Sequence, residues 1–177
     1  MTAPGGAAGA PGTVERELHI DARPEVVFGY FTDAERLLRW QGQHAEIDAR
    51  PGGVYRVQMN VAGDLTSGRF LEVHPFERVV YTWGWERGGF ESVPAGSSTI
   101  EITLRPEGGG THLRLLHTGL PDDAQLVGEH RDGWTHYLAR LAIAATGGDP
   151  GPDPAGGGDM TVIRGAAGPP ERDPPPA

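Results

Sequence analysis

The 177-residue sequence contains no cysteine, and all 15 of its basic residues are arginine. Without cysteine the chain has no disulfide, no thiol nucleophile and no thiolate metal ligand. Without lysine it cannot form the Schiff base of lysine-dependent enzymes. It also lacks an apolar run near the roughly 20 residues that span a bilayer, and its N-terminus lacks the basic and apolar segments of a signal peptide. We therefore predict a cytoplasmic protein without a membrane partner.

Clustered positive charge is also missing. The net charge of −9 divides into −6 for residues 14–146, with 13 arginines against 19 acids, and −3 for residues 147–177, with two arginines against five acids. Nucleic acids and anionic membranes are bound by clustered cations. This balance therefore argues against both kinds of partner.

Both ends of the sequence have little apolar area. Residues 1–13 are almost entirely Gly, Ala, Pro and Thr, and residues 147–177 contain 8 Gly and 8 Pro among 31 residues. Such segments cannot offset the entropy of ordering, so we predict two disordered tails, with Met160–Ile163 as the only apolar run in the second. Residues 14–146, about 133 in number, have the usual size of one domain.

The longest helix-compatible stretch is 122–145, and Gly147 and Gly148 end it. Its apolar side chains recur at helical spacing and form one stripe, which comprises Trp134, Leu138, Leu141 and Ala145.

Upstream of this helix, the pattern predicts one strand at Val14–Ile20 and then two short helices, which begin near Pro24 and after Asp33. Alternating apolar residues then predict strands over 44–49, 54–61, 65–74, 78–85, 98–105 and 111–118. Short connections between them indicate antiparallel pairing. The predicted fold is α+β, a curved antiparallel sheet of about six to seven strands wrapped around the long C-terminal helix. Such an arrangement often encloses a cavity.

Several segments of the sequence, taken together, resemble the START-like superfamily. More narrowly, they resemble the family named for homologues of the heat-shock-protein-90 ATPase activator. The matching segments are 24–28, 32–40, 51–56, 68–75, 78–83, 117–121 and 133–141. The resemblance covers residues 14–146 and implies the helix-grip fold. Its members bind or transform very different ligands, so it does not identify a ligand. One departure is Gln41-Gly42, where the family pattern suggests a second tryptophan beside Trp40; the smaller residue either opens the pocket or loosens the packing.

Aromatic and polar side chains around the expected cavity are the candidate ligand-binding residues. Aromatic rings suit flat or apolar ligands, and methionine adapts to them. The same rings also make an ordinary packed core, so both interpretations stay open. The candidates are Trp40, Met59, Phe70, Tyr81, Trp83, Trp85, His117, His136 and Tyr137. Glu101, Arg69 and Arg56 are possible polar anchors, but the alternation places Arg69 and Glu101 on the solvent face.

Histidine spacing gives no local metal motif. His112 and His117 are five apart on one strand and face opposite sides, and His130 and His136 diverge around the helix. A site built from distant residues, such as His117, His136 and Glu101, is the remaining alternative. His117 shares a face with Leu113 and Leu115, where a histidine is more often a hydrogen-bonded core residue than an acid–base group. We predict no metal and no cofactor, and the sequence does not identify a catalytic residue.

The predicted function is binding of a small hydrophobic or aromatic molecule in a cavity under the long helix, with His117 and His136 orienting the ligand. Three alternatives remain: a cyclase- or hydrolase-like enzyme of the same superfamily, a co-chaperone-like interaction module, and a stress-response or regulatory domain without a ligand. A homodimer is compatible with the sequence, which offers no support for a chaperone partner.

Overall fold

The computed structural model describes residues 10–157. In chain order the elements are β1 (Val14–Ile20), α1 (Pro24–Thr32), α2 (Ala34–Leu37), β2 (His44–Ile47), β3 (Val54–Gln58), β4 (Leu65–His74), β5 (Arg78–Trp83), β6 (Trp85–Arg87), β7 (Ser98–Glu107), β8 (Gly110–Thr118) and α3 (Ala124–Ala145). Of the tails predicted over residues 1–13 and 147–177, residues 1–9 and 158–177, with the apolar run Met160–Ile163, lie outside the described residues.

The strands form one antiparallel sheet in the order β1-β8-β7-β5-β4-β3-β2, with β6 paired to β4. The chain therefore has the predicted helix-grip architecture, in which β1 joins the far end of the meander and α3 packs against β1 and α1. Asp33 and Asp123 cap α2 and α3 by accepting hydrogen bonds from the backbone N–H groups of Arg36 and Leu126.

One apolar core lies between the sheet and α3. The β7–β8 register pairs Ile102 with Leu115 and Leu104 with Leu113, so these side chains share one face. The helix contributes the predicted stripe, in which Trp134, Leu138, Leu141 and Ala145 are buried. Full burial of each large side chain stabilises the fold by about 1.5–3 kcal/mol, which explains how the helix is held on the sheet.

The strand predicted over 78–85 breaks at Gly84, which gives eight strands instead of six or seven. A side chain at Gly84 would overlap the Pro94 carbonyl, so the loop after β6 approaches the backbone here. The Trp85 N–H donates to the Val93 carbonyl at 2.7 Å, and β6 pairs with β4. Trp85 therefore does not continue β5, and the loop 88–97 folds toward the core, where Val93 is buried.

The chain beyond α3 differs from the expectation that disorder begins at residue 147. Residues 147–157 turn back and contact α3, and Ala155 is fully buried. Arg140 supplies the reason, because its guanidinium binds backbone carbonyls of the returning segment. Composition did not reveal this, since a few polar contacts to one arginine can order a chain that has little apolar area.

Candidate functional site

A pocket of about 50 Å³ lies between α3 and the end of the sheet formed by β5 and β6. Most of its lining side chains are aromatic or apolar, and a carboxylate and an imidazole contribute from the helix. The lining residues are Gln41, Met59, Trp83, Trp85, Phe90, Glu129, His130, Gly133, Trp134 and Tyr137.

Four of the nine predicted ligand-binding residues line this pocket. Met59 comes from the turn after β3, Trp83 and Trp85 from the two strands that meet at Gly84, and Tyr137 from α3. The break at Gly84 orients the two indoles edge to face, with ring centroids 5.4 Å apart. The two tryptophans thus form one corner of the pocket wall.

Trp40, Phe70 and Tyr81 lie elsewhere in the core and do not line the pocket. Tyr81 stacks on Tyr55 with centroids 4.4 Å apart, and Phe70 packs against both tyrosines. The Trp40 indole N–H donates to the Tyr30 carbonyl at 3.0 Å. Burial raises the pKa of Tyr81 well above its ordinary value, so its hydroxyl stays protonated. In this structure these three side chains are core residues.

His117 is buried beside the pocket, and both of its ring nitrogens have partners. The Trp134 indole N–H, which can only donate, donates to His117 Nδ1 at 3.1 Å. Nε2 therefore carries the proton and donates to Ser98 Oγ at 2.8 Å, and Ser98 Oγ in turn donates to the Trp83 carbonyl. Burial, with a smaller effect of His130, lowers the pKa of His117 to about 3. It is a neutral core histidine that holds two tryptophans of the pocket in place.

His136 does not line the pocket; it faces the returning segment. Its Nε2 lies 2.8 Å from Asp153 Oδ1. The distant metal site considered above is not formed, because Glu101 accepts a hydrogen bond from Arg78 while His117 is bonded to Ser98 and Trp134. Within residues 10–157, no group of three or more His, Asp or Glu side chains is placed to hold a metal ion.

The possible polar anchors Arg56 and Arg69 lie at the surface and have partners there. Arg56 makes a two-point ion pair with Glu86, at 2.7 and 3.0 Å, and Arg69 donates to the Gly52 carbonyl. The ion pair raises the pKa of Arg56 and lowers that of Glu86. These side chains lie outside the pocket lining.

Sequence reasoning missed six lining residues as ligand contacts: Gln41, Phe90, Glu129, His130, Gly133 and Trp134. A signal existed for His130, which precedes Trp134 by one helical turn and so extends the apolar stripe. Gln41, a departure from the family pattern, is buried in the pocket wall. Nothing in the local pattern indicates that Phe90, in a Gly-rich loop, folds back over Trp85 and His130.

The profile of the family described as "Activator of Hsp90 ATPase homolog 1-like protein" matches residues 21–146. The chain belongs to this family. A search among curated proteins gives no match. Within residues 10–157, no helix has the length and apolar character to cross a membrane.

Several solved structures share the fold of this Hsp90-activator-like chain. A solution structure of an AHSA1-like protein from Rhizobium etli is 48% identical, with a TM-score of 0.63, and the match covers 80% of this chain and 86% of that one. A protein from Chromobacterium violaceum is 28% identical over 81% of this chain and 100% of that one, with a TM-score of 0.65. An HSP90 activator from Plasmodium falciparum is 23% identical over 76% of this chain and 96% of that one, with a TM-score of 0.62, a likeness of fold alone.

Proposed function

We propose that this family member binds a small hydrophobic or aromatic molecule in the pocket between α3 and the β5–β6 corner. The observation that supports the proposal is the wall itself, in which five aromatic side chains and Met59 surround one space. Those aromatic residues are Trp83, Trp85, Phe90, Trp134 and Tyr137. Rings in such a wall bury a flat ligand and contribute about 0.5–1.5 kcal/mol per ring pair beyond the buried area.

The proposed site differs from the predicted one in its polar groups. His117 positions the wall instead of touching the ligand, and His136 faces away. The polar side chains in contact with the ligand are then Gln41, Glu129 and His130. Glu129 makes the pocket unfavourable for anions, so the ligand is neutral or cationic.

The test is a titration with N-phenyl-1-naphthylamine, a neutral fluorophore that brightens in apolar surroundings. We expect 1:1 saturable binding, and about fivefold to tenfold weaker affinity in Phe90→Ala, because one aromatic wall is lost. Phe76→Ala is the matched control, since Phe76 is an exposed aromatic side chain that does not line the pocket. Equal loss of probe affinity in both variants would mean that the probe binds outside the pocket. Absence of saturable binding to the parent protein would refute the proposal.

A second candidate function, acid–base catalysis on the bound molecule, is supported by one observation. The carboxyl group of Glu129 and the imidazole of His130 belong to the same aromatic-lined pocket. A carboxylate and an imidazole at one site are the usual groups of general acid–base chemistry. Incubation with a panel of aryl esters and cyclisable aryl ketones, followed by mass spectrometry, tests it. Turnover equal in the parent and in Glu129→Gln and His130→Asn would exclude this chemistry.

A further inference from the structure

The segment 149–157, called the strap here, returns along α3 and is fixed to it by Arg140. The Arg140 guanidinium donates to the Pro150 carbonyl at 3.3 Å and to the Gly151 carbonyl at 2.8 Å. The same guanidinium donates to the Trp40 carbonyl at 3.1 Å. One arginine thus joins the strap, α3 and the turn after α2.

A second attachment lies further along the strap, at Asp153. Its side chain is only 7% exposed and its Oδ1 lies 2.8 Å from His136 Nε2. The same oxygen accepts the backbone N–H of Ala155 at 3.0 Å. Burial works to raise the pKa of Asp153, but the bonds from His136 and Ala155, with the charge of Arg140, lower it overall, so the carboxylate stays charged. The end of the strap is tied to the β3–β4 turn, where the Val61 N–H donates to the Gly156 carbonyl.

Only a thin partition separates the strap from the pocket. Gln41 lines the pocket and also lines the cleft bordered by Pro150, Gly151 and Asp153. Tyr137 lines the pocket too, and burial together with the nearby Asp153 carboxylate raises its pKa well above its ordinary value. The strap therefore lies directly behind two side chains of the pocket wall.

The polar groups of the partition are poorly aligned. Within residues 10–157, Gln41 Nε2, Tyr137 Oη and Asp153 Oδ2 are buried and make no hydrogen bond of good geometry. The Tyr137 hydroxyl does interact with the Asp153 carboxylate, and the Gln41 side chain interacts with the Tyr55 hydroxyl. Poorly aligned contacts of this kind stabilise the closed arrangement little, and the groups find better partners when water or a ligand reaches them. The partition is therefore the part of the wall where opening costs least.

The size of the pocket makes some opening necessary. At about 50 Å³ it is smaller than the roughly 300–1,000 Å³ of typical small-molecule sites. Most of the remaining wall consists of side chains buried in the apolar core between the sheet and α3. The strap carries mostly Gly, Pro and Asp, with Ala155 its one fully buried side chain. Segments with few apolar contacts open most readily.

We propose that the strap is the gate of this pocket: it leaves α3 when a ligand larger than the closed cavity binds, and Gln41 and Tyr137 move into the space that it vacates. The latch is the pair His136–Asp153, supported by Arg140. This inference rests on the proposed binding function. It adds to that function a defined moving element and a route by which the cavity grows.

Two variants of the full chain release the strap by different means. Asp153→Asn keeps the shape but removes the charge of the latch, and Ala155→Leu introduces a side chain larger than the buried site accommodates. The matched control is Asp149→Asn, which makes the same charge change on a carboxylate that accepts the Gly151 N–H within the strap. Hydrogen exchange of the Val61 amide, which is bonded to Gly156, reports strap release. Stopped-flow fluorescence with N-phenyl-1-naphthylamine reports the association rate.

We expect faster Val61 exchange and about tenfold faster association in both release variants. In Asp153→Asn a charge-assisted hydrogen bond is weakened, which typically shifts an opening equilibrium by about that factor. In Ala155→Leu the overfilled site disfavours the closed strap by a similar amount. Asp149→Asn is expected to match the parent in both measurements. Unchanged Val61 exchange in both release variants would overturn the latch. Faster exchange with an unchanged association rate would overturn the gate and leave the binding function intact. No probe binding to any of the proteins would remove the binding function and the inference together.

Discussion

His117 connects two walls of the pocket through a single neutral imidazole. It accepts from Trp134 on α3 and donates to Ser98 on β7, which in turn donates to the Trp83 carbonyl on β5. If His117 were removed, the buried Trp134 indole N–H would lose this partner, at about 1–3 kcal/mol, whereas Ser98 would keep its bond to the Trp83 carbonyl. The residue thus acts on the site by positioning.

The stability of the protein is expected to fall as the pH drops below about 6.5, because His117 must stay neutral in the folded state. Its pKa is about 3 when folded and about 6.5 when unfolded, so between these values only the unfolded chain takes up the proton. The free energy of unfolding then decreases by up to about 1.4 kcal/mol per pH unit from this group. Urea unfolding at pH 7.5, 6.5 and 5.5 measures it.

The control for this pH dependence is His117→Gln, which removes the titrating group. We expect a lower free energy of unfolding at pH 7.5 and a shallower decrease toward pH 5.5 than in the parent. His19, whose pKa is raised by Glu107 and Asp21, contributes an opposite slope that cancels between the two proteins. Parallel pH profiles for parent and variant would contradict the assignment.

Gly68 on β4 is expected to be intolerant of any side chain. A methyl group there would overlap the Thr82 carbonyl of the neighbouring strand, and backbone cannot give way as a flexible side chain does. Gly68→Ala should lower the free energy of unfolding by about 2 kcal/mol or more. The neighbouring Ser67→Ala should cost less than about 1 kcal/mol. Thermal unfolding of both variants compares the two losses of stability. Similar losses would show that the close approach of Gly68 to the Thr82 carbonyl is unimportant for stability.

At the scale of elements, α3 carries two glycines that separate its structural role from its binding role. Gly128 and Gly133 are both helical, and a methyl group at either would meet open space. Only Gly133 lines the pocket. Alanine at either position should stabilise the helix by about 0.5–1 kcal/mol, because glycine loses more entropy on ordering.

This pair yields a prediction for ligand affinity. Gly133→Ala should weaken N-phenyl-1-naphthylamine binding severalfold by narrowing the pocket, and Gly128→Ala should leave the affinity unchanged. A thermal melt and a fluorescence titration on each variant provide both readouts. If Gly133→Ala bound the probe as tightly as Gly128→Ala, α3 would not contribute this surface to the site.

At the scale of the whole molecule, one core joins both ends of the domain. All four tryptophans belong to it: Trp40 after α2, Trp83 and Trp85 on the sheet, and Trp134 on α3. Tryptophan fluorescence and far-ultraviolet circular dichroism should therefore report the same urea transition, as expected for a cooperative domain of this size. Two separated midpoints would mean that α3 detaches from the sheet before the sheet unfolds.

The sequence by itself determined the fold class and most of the elements. Helical spacing in α3, strand alternation in β7 and β8, and the cap at Asp33 are local patterns, and local patterns depend on backbone geometry alone. The segments that resemble the family added the topology that they imply, and the helix-grip fold was confirmed. The same alternation correctly assigned Glu101 to the outer face and His117 to the inner face.

Only the tertiary structure decided which side chains meet at the pocket. Gly84 breaks a strand because a distant loop approaches it, and Phe90 reaches the site through that loop. Trp40, Phe70 and Tyr81 have the same chemistry as the lining residues and yet belong to the core. The strap is ordered by one arginine and one histidine of α3 despite a composition typical of disorder. These outcomes depend on contacts between segments far apart in sequence, and such contacts leave no periodic trace in either segment.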